Sequence, residues 1–368
     1  MIKCCGLGKE RLRGDRKSHG HNAPFRKQEG GETVTVFSVG SIPVLMGLTD
    51  RLWVPILIVF VLVCVLFFAL FLIRSAYERS HFSVSRYEVY SPKVTKELDG
   101  YTIVMLADLH NNEFGKGNEK LTRAILKEHP DLILIAGDAV TVHEGKEVNL
   151  VTFQNLLEGL KASECPVYFT RGNHEDRLVY RPESFPGIWS KMQRIMDLYG
   201  VITINNEQIL LPAKQGEQEG TGPVLASFEI PRAGYRKLAS KKSVSAEEIE
   251  SAIGKPLGHD AKHSDGSKEP FVILSAHSPL FSDAYSMWGA DLTLCGHFHG
   301  GTIRLPFVGG LMTPQFHFFN GKERGMFLLR EAPDGPKVQI TSGGLGTHSV
   351  NLRFRNLSDL VVVHLKKK

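Results

Sequence analysis

The sequence predicts an α/β protein carried behind a single membrane-crossing helix. Two observations predict it. Five short apolar runs each stop at a cluster of Asp, Asn or His, with helical patterns between several of them. Ahead of them, Trp53 to Ile73 is a stretch of 21 residues without a charge, bracketed by Arg51 and Arg74.

The chain has 368 residues, room for one large domain or two ordinary ones. Hydrophobic residues make up 42% and charged residues 23%, the balance of a folded chain rather than a disordered one. The net charge of +5 is mild and lies partly in the N-terminal tail, so no nucleic-acid footprint is expected. Five cysteines, scattered and without a Cys-x-x-Cys pair, argue against a disulfide framework or a structural zinc knuckle. Cys295 reads as a small buried residue at a strand end.

Taken in order, residues 1–50 form a basic tail, with Lys3, Lys9, Arg11, Arg13, Arg16 and Lys17 near its start. Its polar, Gly-containing composition predicts disorder to about Gly31. Residues 51–75 are the anchor, since a helix needs roughly 20 apolar residues to cross the hydrocarbon core. A signal peptide has a shorter apolar core, typically about 7–15 residues, and a small-x-small cleavage site. The expected location is therefore the cell membrane, single-pass. Arg74, Arg79, Arg86 and Lys93 follow the span closely, which favours a cytoplasmic main domain; the nine Lys and Arg up to and including Arg51 favour the reverse. The side stays open. Residues 76–100 read as a polar linker, and 101–368 as the main domain.

Within that domain Ile103–Ala107 ends in Asp108-Leu109-His110, and Leu132–Ala136 ends in Gly137-Asp138. Val167–Thr170 leads to Gly172-Asn173-His174-Glu175, and Phe271–Ser275 ends in Ala276-His277. Leu292–Cys295 leads to Gly296-His297-Phe298-His299. Runs this short and this apolar suit strands buried on both faces. Helical patterns lie at Glu119–Glu128, Leu150–Leu160, Pro186–Tyr199 and Ser245–Ile253, and that alternation argues for α/β. Ligands gather at the carboxyl ends of strands in such sheets, which is where all five clusters fall. From Pro212 to Pro270 the Gly, Lys, Glu and Ser content reads largely as a surface insertion, with a strand expected at Val224–Ile230.

In an extended segment side chains two apart point the same way, so His297 and His299 are expected to converge on one place. An isolated His-x-His is more often an exposed polar loop. Here the strand ends jointly supply Asp108, His110, Asp138, Asn173, His277, His297 and His299, with His174 beside Asn173. Oxygen and imidazole ligands without thiolate suit Mn²⁺, Fe²⁺ or Zn²⁺. Seven ligands exceed the needs of one ion with an open position, so two divalent ions sharing a bridging carboxylate are expected. Such a pair, about 3.5–4 Å apart, polarises a phosphoryl oxygen and generates hydroxide from a bound water near neutral pH.

Asp108-Leu109-His110, Gly137-Asp138, Gly172–Glu175, His277 and Gly296–His299, in that order, resemble the calcineurin-like metallophosphoesterase superfamily. The resemblance runs from about Tyr101 to Leu365. Asp108–Asn112, Gly300–Pro306, Gly344–Gly346 and Leu352–Arg355 look like its bacterial membrane-associated branch. The resemblance implies a two-sheet αββα sandwich, with Asp108, His110 and His299 on a first metal and Asn173, His277 and His297 on a second. It implies that Asp138 bridges them and that His174 is catalytic, orienting phosphate and protonating the leaving oxygen. Thr141 stands where another Asp is common, and Thr302 replaces an amide side chain often seen there; neither is an expected ligand. The expected function is hydrolysis of a phosphoester or pyrophosphate bond by metal-bound hydroxide. The membrane bilayer is an expected partner and a lipid-linked substrate an expected candidate, alongside soluble phosphodiesters and phosphoproteins. A non-catalytic metal-containing membrane scaffold is the alternative.

Overall fold

The computed structural model describes residues 42–214, 217, 220–235, 243–258, 269–314, 318, 321–347 and 350–368, with side chains from residue 53 onward. The tail expected at residues 1–50 lies outside the described residues as far as residue 41.

Helix α1 (Ile42–Ser80) is continuous. From Trp53 to Ile73 its side chains are apolar and largely exposed, and it is long and apolar enough to cross a membrane. Towards its C-terminal end Phe71, Ser75, Glu78 and Arg79 are covered, a spacing that places them on one face of the helix. Ser75 Oγ accepts the backbone N–H of Arg353 at 3.1 Å. The Glu78 carboxylate accepts those of Arg355 and Asn356 at 2.9 and 2.7 Å.

Strand β1 (Phe82–Ser91) follows, inside the segment that the sequence reading takes as a linker. Its polar and apolar residues alternate and most stay partly exposed, so it lacks the apolar run that marks the other strands. The chain then alternates β2 (Thr102–Leu106), α2 (Glu119–Lys127), β3 (Leu132–Ala136), α3 (Val151–Leu160) and β4 (Val167–Thr170). Helices α4 (Asn173–Tyr180) and α5 (Ile188–Leu198) lead to β5 (Ile202–Thr203). The second half runs β6 (Glu207–Leu210), β7 (Val224–Ser227), α6 (Ala246–Ile253), β8 (Val272–Ser275), α7 (Ser282–Trp288) and β9 (Leu292–Cys295). A short pair, β10 (Arg304–Leu305) and β11 (Gly309–Gly310), precedes β12 (Gly325–Ala332), β13 (Gly335–Thr341) and β14 (Ser358–Lys367).

Among the described residues two six-stranded sheets result, ordered β1-β14-β2-β3-β4-β5 and β12-β13-β9-β8-β7-β6. Alternation along each strand builds three apolar layers from them. Val104, Leu106, Ile133 and Ile135 face α2, α3 and α5 through Leu121, Ile125, Phe153, Leu157 and Met196. Ile103, Met105, Leu132 and Leu134 face the other sheet through Ile273, Leu292, Leu294 and Ile340. The outer face of that sheet, with Val272, Leu274 and Cys295, packs on Ile249 and Ile253 of α6 and Tyr285 and Trp288 of α7. This is a two-sheet sandwich with helices on both outsides. Part of the expected 212–270 insertion therefore belongs to the core, since β7 and α6 are built into it.

The layering positions the site. Strands β2, β3 and β4 run parallel in the first sheet, and β8 and β9 run parallel in the second. Where the sheets meet at their carboxyl ends, Thr170 Oγ1 and Ser275 Oγ share a hydrogen bond of 2.8 Å.

Candidate metal centre

Every cluster predicted to carry chemistry lies just past a strand. Asp108 and His110 follow β2, Asp138 follows β3, Asn173 and His174 open α4 after β4, His277 follows β8, and His297 and His299 follow β9. The five strand ends are thus split between two sheets and brought together only by the packing of one sheet on the other.

The local backbone is unusual. Asp108, His110, Asp138, His297 and His299 all have positive φ, at 54°, 47°, 53°, 68° and 48°. Left-handed backbone is uncommon outside glycine and concentrates where surrounding structure imposes it, often at functional sites. It also changes how His297 and His299 converge. Strand β9 stops at Cys295, so the two histidines are not extended, and the alternation expected from the sequence does not apply. Left-handed turns bring them in instead, with Phe298 fully buried between them. Glycine permits the close approach: a side-chain carbon at Gly296 would stand 2.7 Å from Asp108 Oδ2, and one at Gly172 would collide with Asp138.

The donor atoms form two main groups. One Asp108 oxygen and one nitrogen each of His110 and His299 lie within 4.8 Å of one another, and so do the corresponding atoms of Asp138, His277 and His297. The groups touch: His277 Nε2 is 3.1 Å from Asp138 Oδ2 and 3.7 Å from Asp108 Oδ1. His110 Nε2 is 3.5 Å from Asp138 Oδ2. All these side chains are buried.

A third group within the same reach joins His110, Asp138 and His174. The hydrogen bonds on the far ring nitrogens separate His174 from the others. His277 Nδ1 lies 2.9 Å from the carbonyl of Ala136, and His299 Nδ1 3.0 Å from that of Gly346. A carbonyl only accepts, so each Nδ1 carries a proton and, in the neutral ring, each Nε2 offers a lone pair to the site. His174 is arranged the other way round. Its Nδ1 accepts the backbone N–H of Val142 at 2.8 Å, which in the neutral ring leaves the proton on Nε2. In that form His174 Nε2 is a donor.

The carboxylates are held as firmly. Asp108 accepts the N–H of His297 on both oxygens, at 3.0 and 2.8 Å, and Asp138 Oδ1 accepts that of His174 at 2.8 Å. Burial pushes the Asp108 carboxyl up to about 7, against the pull of His277. Burial acts on Asp138 too, but the charges of His277, His174 and His110 hold it well below the usual carboxylate range. Burial disfavours the charged His277 ring, yet Asp138 and Asp108 raise it to about 10.

The donors fit a divalent cation. Asn173 Oδ1 is buried and accepts no hydrogen bond, although buried polar atoms almost always find a partner. Around it stand imidazoles and carboxylates without a thiolate, a set that suits borderline divalent metals.

A cleft of about 360 Å³ opens beside Asn173, lined by His143, Arg177, Arg181, Phe185, Arg232 and Tyr235 among others. Tyr235 forms its inner wall, its ring centroid 5.0 Å from that of His297. Arg181 is paired with Glu144, and Arg177 donates to the carbonyl of Val142 at 2.6 Å. Arg236 and Lys237, which the sequence places next to Tyr235, lie outside the described residues.

Three supporting residues escape a reading of the sequence for ligands. Glu175 is buried and accepts backbone N–H groups from Asp138 at 2.8 Å, Gly172 at 2.9 Å and Val140 at 3.3 Å. Burial and the charge of Asp138 raise its carboxyl to about 7. Asn356 donates its side-chain amide to the carbonyl of His299 at 2.7 Å. Arg353, fully buried, donates to the carbonyls of Gly343, Gly344, Gly346 and Asn356. For Glu175 the signal was its place directly after Asn173-His174. For Asn356 and Arg353, far away in sequence, spacing gives none.

Residues 101–301 match the family described as calcineurin-like phosphoesterase. Phosphodiesterase YaeI of Escherichia coli is 28% identical over 219 residues, which cover 58% of this chain and 66% of that protein. Two Bacillus subtilis proteins, each described as an uncharacterized metallophosphoesterase, also align. YkoQ is 25% identical over 251 residues, covering 68% of this chain and 78% of its own. YkuE is 33% identical over 144 residues, covering 38% and 47%. The family match spans all five strand ends as far as His299, and so takes in strands of both sheets and every donor described above. By that match the chain belongs to the calcineurin-like phosphoesterase family.

Proposed function

We propose that this chain is a membrane-anchored phosphoesterase with a dinuclear divalent-metal centre, cleaving a phosphoester or pyrophosphate bond in a lipid-linked substrate. The observation that carries the reading is the pair of buried donor groups, Asp108 with His110 and His299, and Asp138 with His277 and His297. In this reading Asp108, His110 and His299 hold one ion, Asn173, His277 and His297 hold the other, and Asp138 lies between them. When bound, such ions supply an activated water and polarise the phosphoryl oxygens. Mn²⁺, Fe²⁺ and Zn²⁺ all suit the donors.

The chain's own residues do the rest. Carbonyl contacts on the Nδ1 atoms of His277 and His299 keep each Nε2 lone pair aimed inward. His174 gives its Nε2 proton to the departing oxygen, while the N–H of Val142 fixes the ring and its tautomer. Arg177 steadies that loop through the Val142 carbonyl. In the adjoining cleft Arg177, Arg181 and Arg232 favour a substrate with a second anionic group beside the reacting phosphorus. A phosphodiester or pyrophosphate on a lipid has that form, and the exposed apolar helix supports a substrate held at a bilayer.

The test uses the full chain in detergent with a chromogenic phosphodiester. Asp138→Asn should abolish turnover and His174→Ala should cut it at least about 100-fold, and only the first should change metal content. Wild-type rates in both variants would end the proposal.

A further inference from the structure

Between the centre and α1 stands a hairpin whose tip is apolar and uncovered. Strands β10 and β11 pair Arg304 with Gly310 and Leu305 with Gly309, leaving Pro306, Phe307 and Val308 as the turn. Phe307 is fully exposed, Val308 is 52% exposed and Leu305 39%. Phe307 has a φ of 63°, a conformation that bulky residues avoid unless something holds it. A soluble surface rarely leaves such a tip to water without a use.

The base of the hairpin is tied to the helix. Ile303 bridges to Phe354, and the N–H of Arg304 donates to the Phe354 carbonyl at 3.0 Å. The Phe354 ring lies 5.0 Å, centroid to centroid, from that of Phe71 in α1. Phe71 belongs to the apolar stretch and stands three residues before Arg74, the first charge after it. At about 1.5 Å per residue, Phe71 is therefore within ~5 Å of the level at which the apolar stretch ends. From Arg304 to Phe307 the chain can reach at most about 10 Å, at ~3.3 Å per residue when fully extended. Phe71, Phe354 and Ile303 thus join the base of the hairpin to the apolar helix.

We propose that the Leu305–Val308 tip is a second membrane contact, seated in the interfacial layer of the bilayer that α1 crosses. The inference rests on the reading of α1 as a membrane span. Continuity with that helix selects lipid as the occupant. The contact also sets how the centre faces the bilayer. Arg304, at the neck of the hairpin, donates to the carbonyl of Gly300, the residue after His299, at 3.1 Å. A seated tip therefore holds the His299 side of the centre close to the lipid surface, within reach of a phosphoester whose tail stays in the membrane.

The experiment uses the full chain, one copy per nanodisc of phosphatidylcholine and phosphatidylglycerol. Cys4, Cys5, Cys64 and Cys165 are replaced by Ser, while Cys295 is buried and stays. An environment-sensitive fluorophore is attached to Phe307→Cys, to Val63→Cys in α1, or to Leu198→Cys, an exposed position at the end of α5. Nitroxide lipids carry the quencher near the headgroup or deep in the acyl chain. The proposal expects Val63→Cys to be quenched by the deep nitroxide, Phe307→Cys most strongly by the shallow one, and Leu198→Cys by neither. If Val63→Cys is quenched and Phe307→Cys behaves like Leu198→Cys, the second contact is refuted and the span stands. If Val63→Cys is not quenched, the span reading falls and takes the contact with it. Shielding of the Phe307→Cys label that needs a second copy, present in crowded vesicles and absent at one copy per disc, would make the tip a self-association surface instead.

Discussion

The Glu78 carboxylate, near the end of α1, accepts the backbone N–H of Asn356 at 2.7 Å, and Asn356 passes its own amide hydrogen to the carbonyl of His299 at 2.7 Å. The last turns of the helix are thereby two hydrogen bonds from a candidate metal ligand. Asn356 acts as a positioning residue. Asn356→Ala should weaken the metal held through His299 by about 10–100-fold, as loss of an outer hydrogen bond commonly does, and leave the other ion nearly unaffected. Metal titration followed by elemental analysis would show it. Equal loss of both ions would point to a general structural fault.

Arg353 brings four carbonyls to one guanidinium, and burial lowers its pKa to about 10. Lys carries the charge but not the planar fork. Arg353→Lys should destabilise the chain by about 2–4 kcal/mol, the scale of buried carbonyls left without donors. A shift in the midpoint of urea unfolding is the readout.

Glu175 accepts three backbone N–H groups around Asp138 and Gly172. Glu175→Ala should lower stability by at least about 2 kcal/mol and reduce metal occupancy together, because the loop that presents Asp138 loses its anchor. Glu175→Gln keeps one acceptor oxygen and should recover part of both.

His174→Ala should cut turnover by about 10²–10⁴-fold at full metal occupancy, the usual range for loss of a general acid. A substrate whose leaving group needs no proton should suffer less, which separates proton donation from simple positioning.

Arg232→Ala should raise KM for phosphodiesters carrying a second anion and leave kcat nearly unchanged, since this exposed side chain lines the cleft and is not one of the proposed metal ligands. The effect should shrink as salt is added, with a screening length of about 10 Å at 0.1 M.

Much of this was legible in the sequence, for identifiable physical reasons. Leu132–Ala136 is an uninterrupted apolar run and Leu292–Cys295 one broken only by Thr293, because both faces of each strand are buried, and their polar successors mark strand ends. That signal cannot say which sheet a strand joins, so the division of the five ends between two sheets was carried by family resemblance alone. Strand β1 was missed because an edge strand with alternating exposure has no apolar run. The way His297 and His299 converge was misjudged, since nothing in Gly-His-Phe-His specifies left-handed backbone at both histidines. Contacts such as Glu78 to Asn356 join residues 278 positions apart and leave no local trace.

The proposed centre holds two ions through different histidines. The most direct measurement is metal content per chain, by elemental analysis of the purified full-length protein, for wild type, His297→Ala and His299→Ala. Two divalent ions are predicted for wild type, with each variant losing a different one and retaining the other. A wild-type protein that binds one ion, or variants that lose the same one, would contradict it.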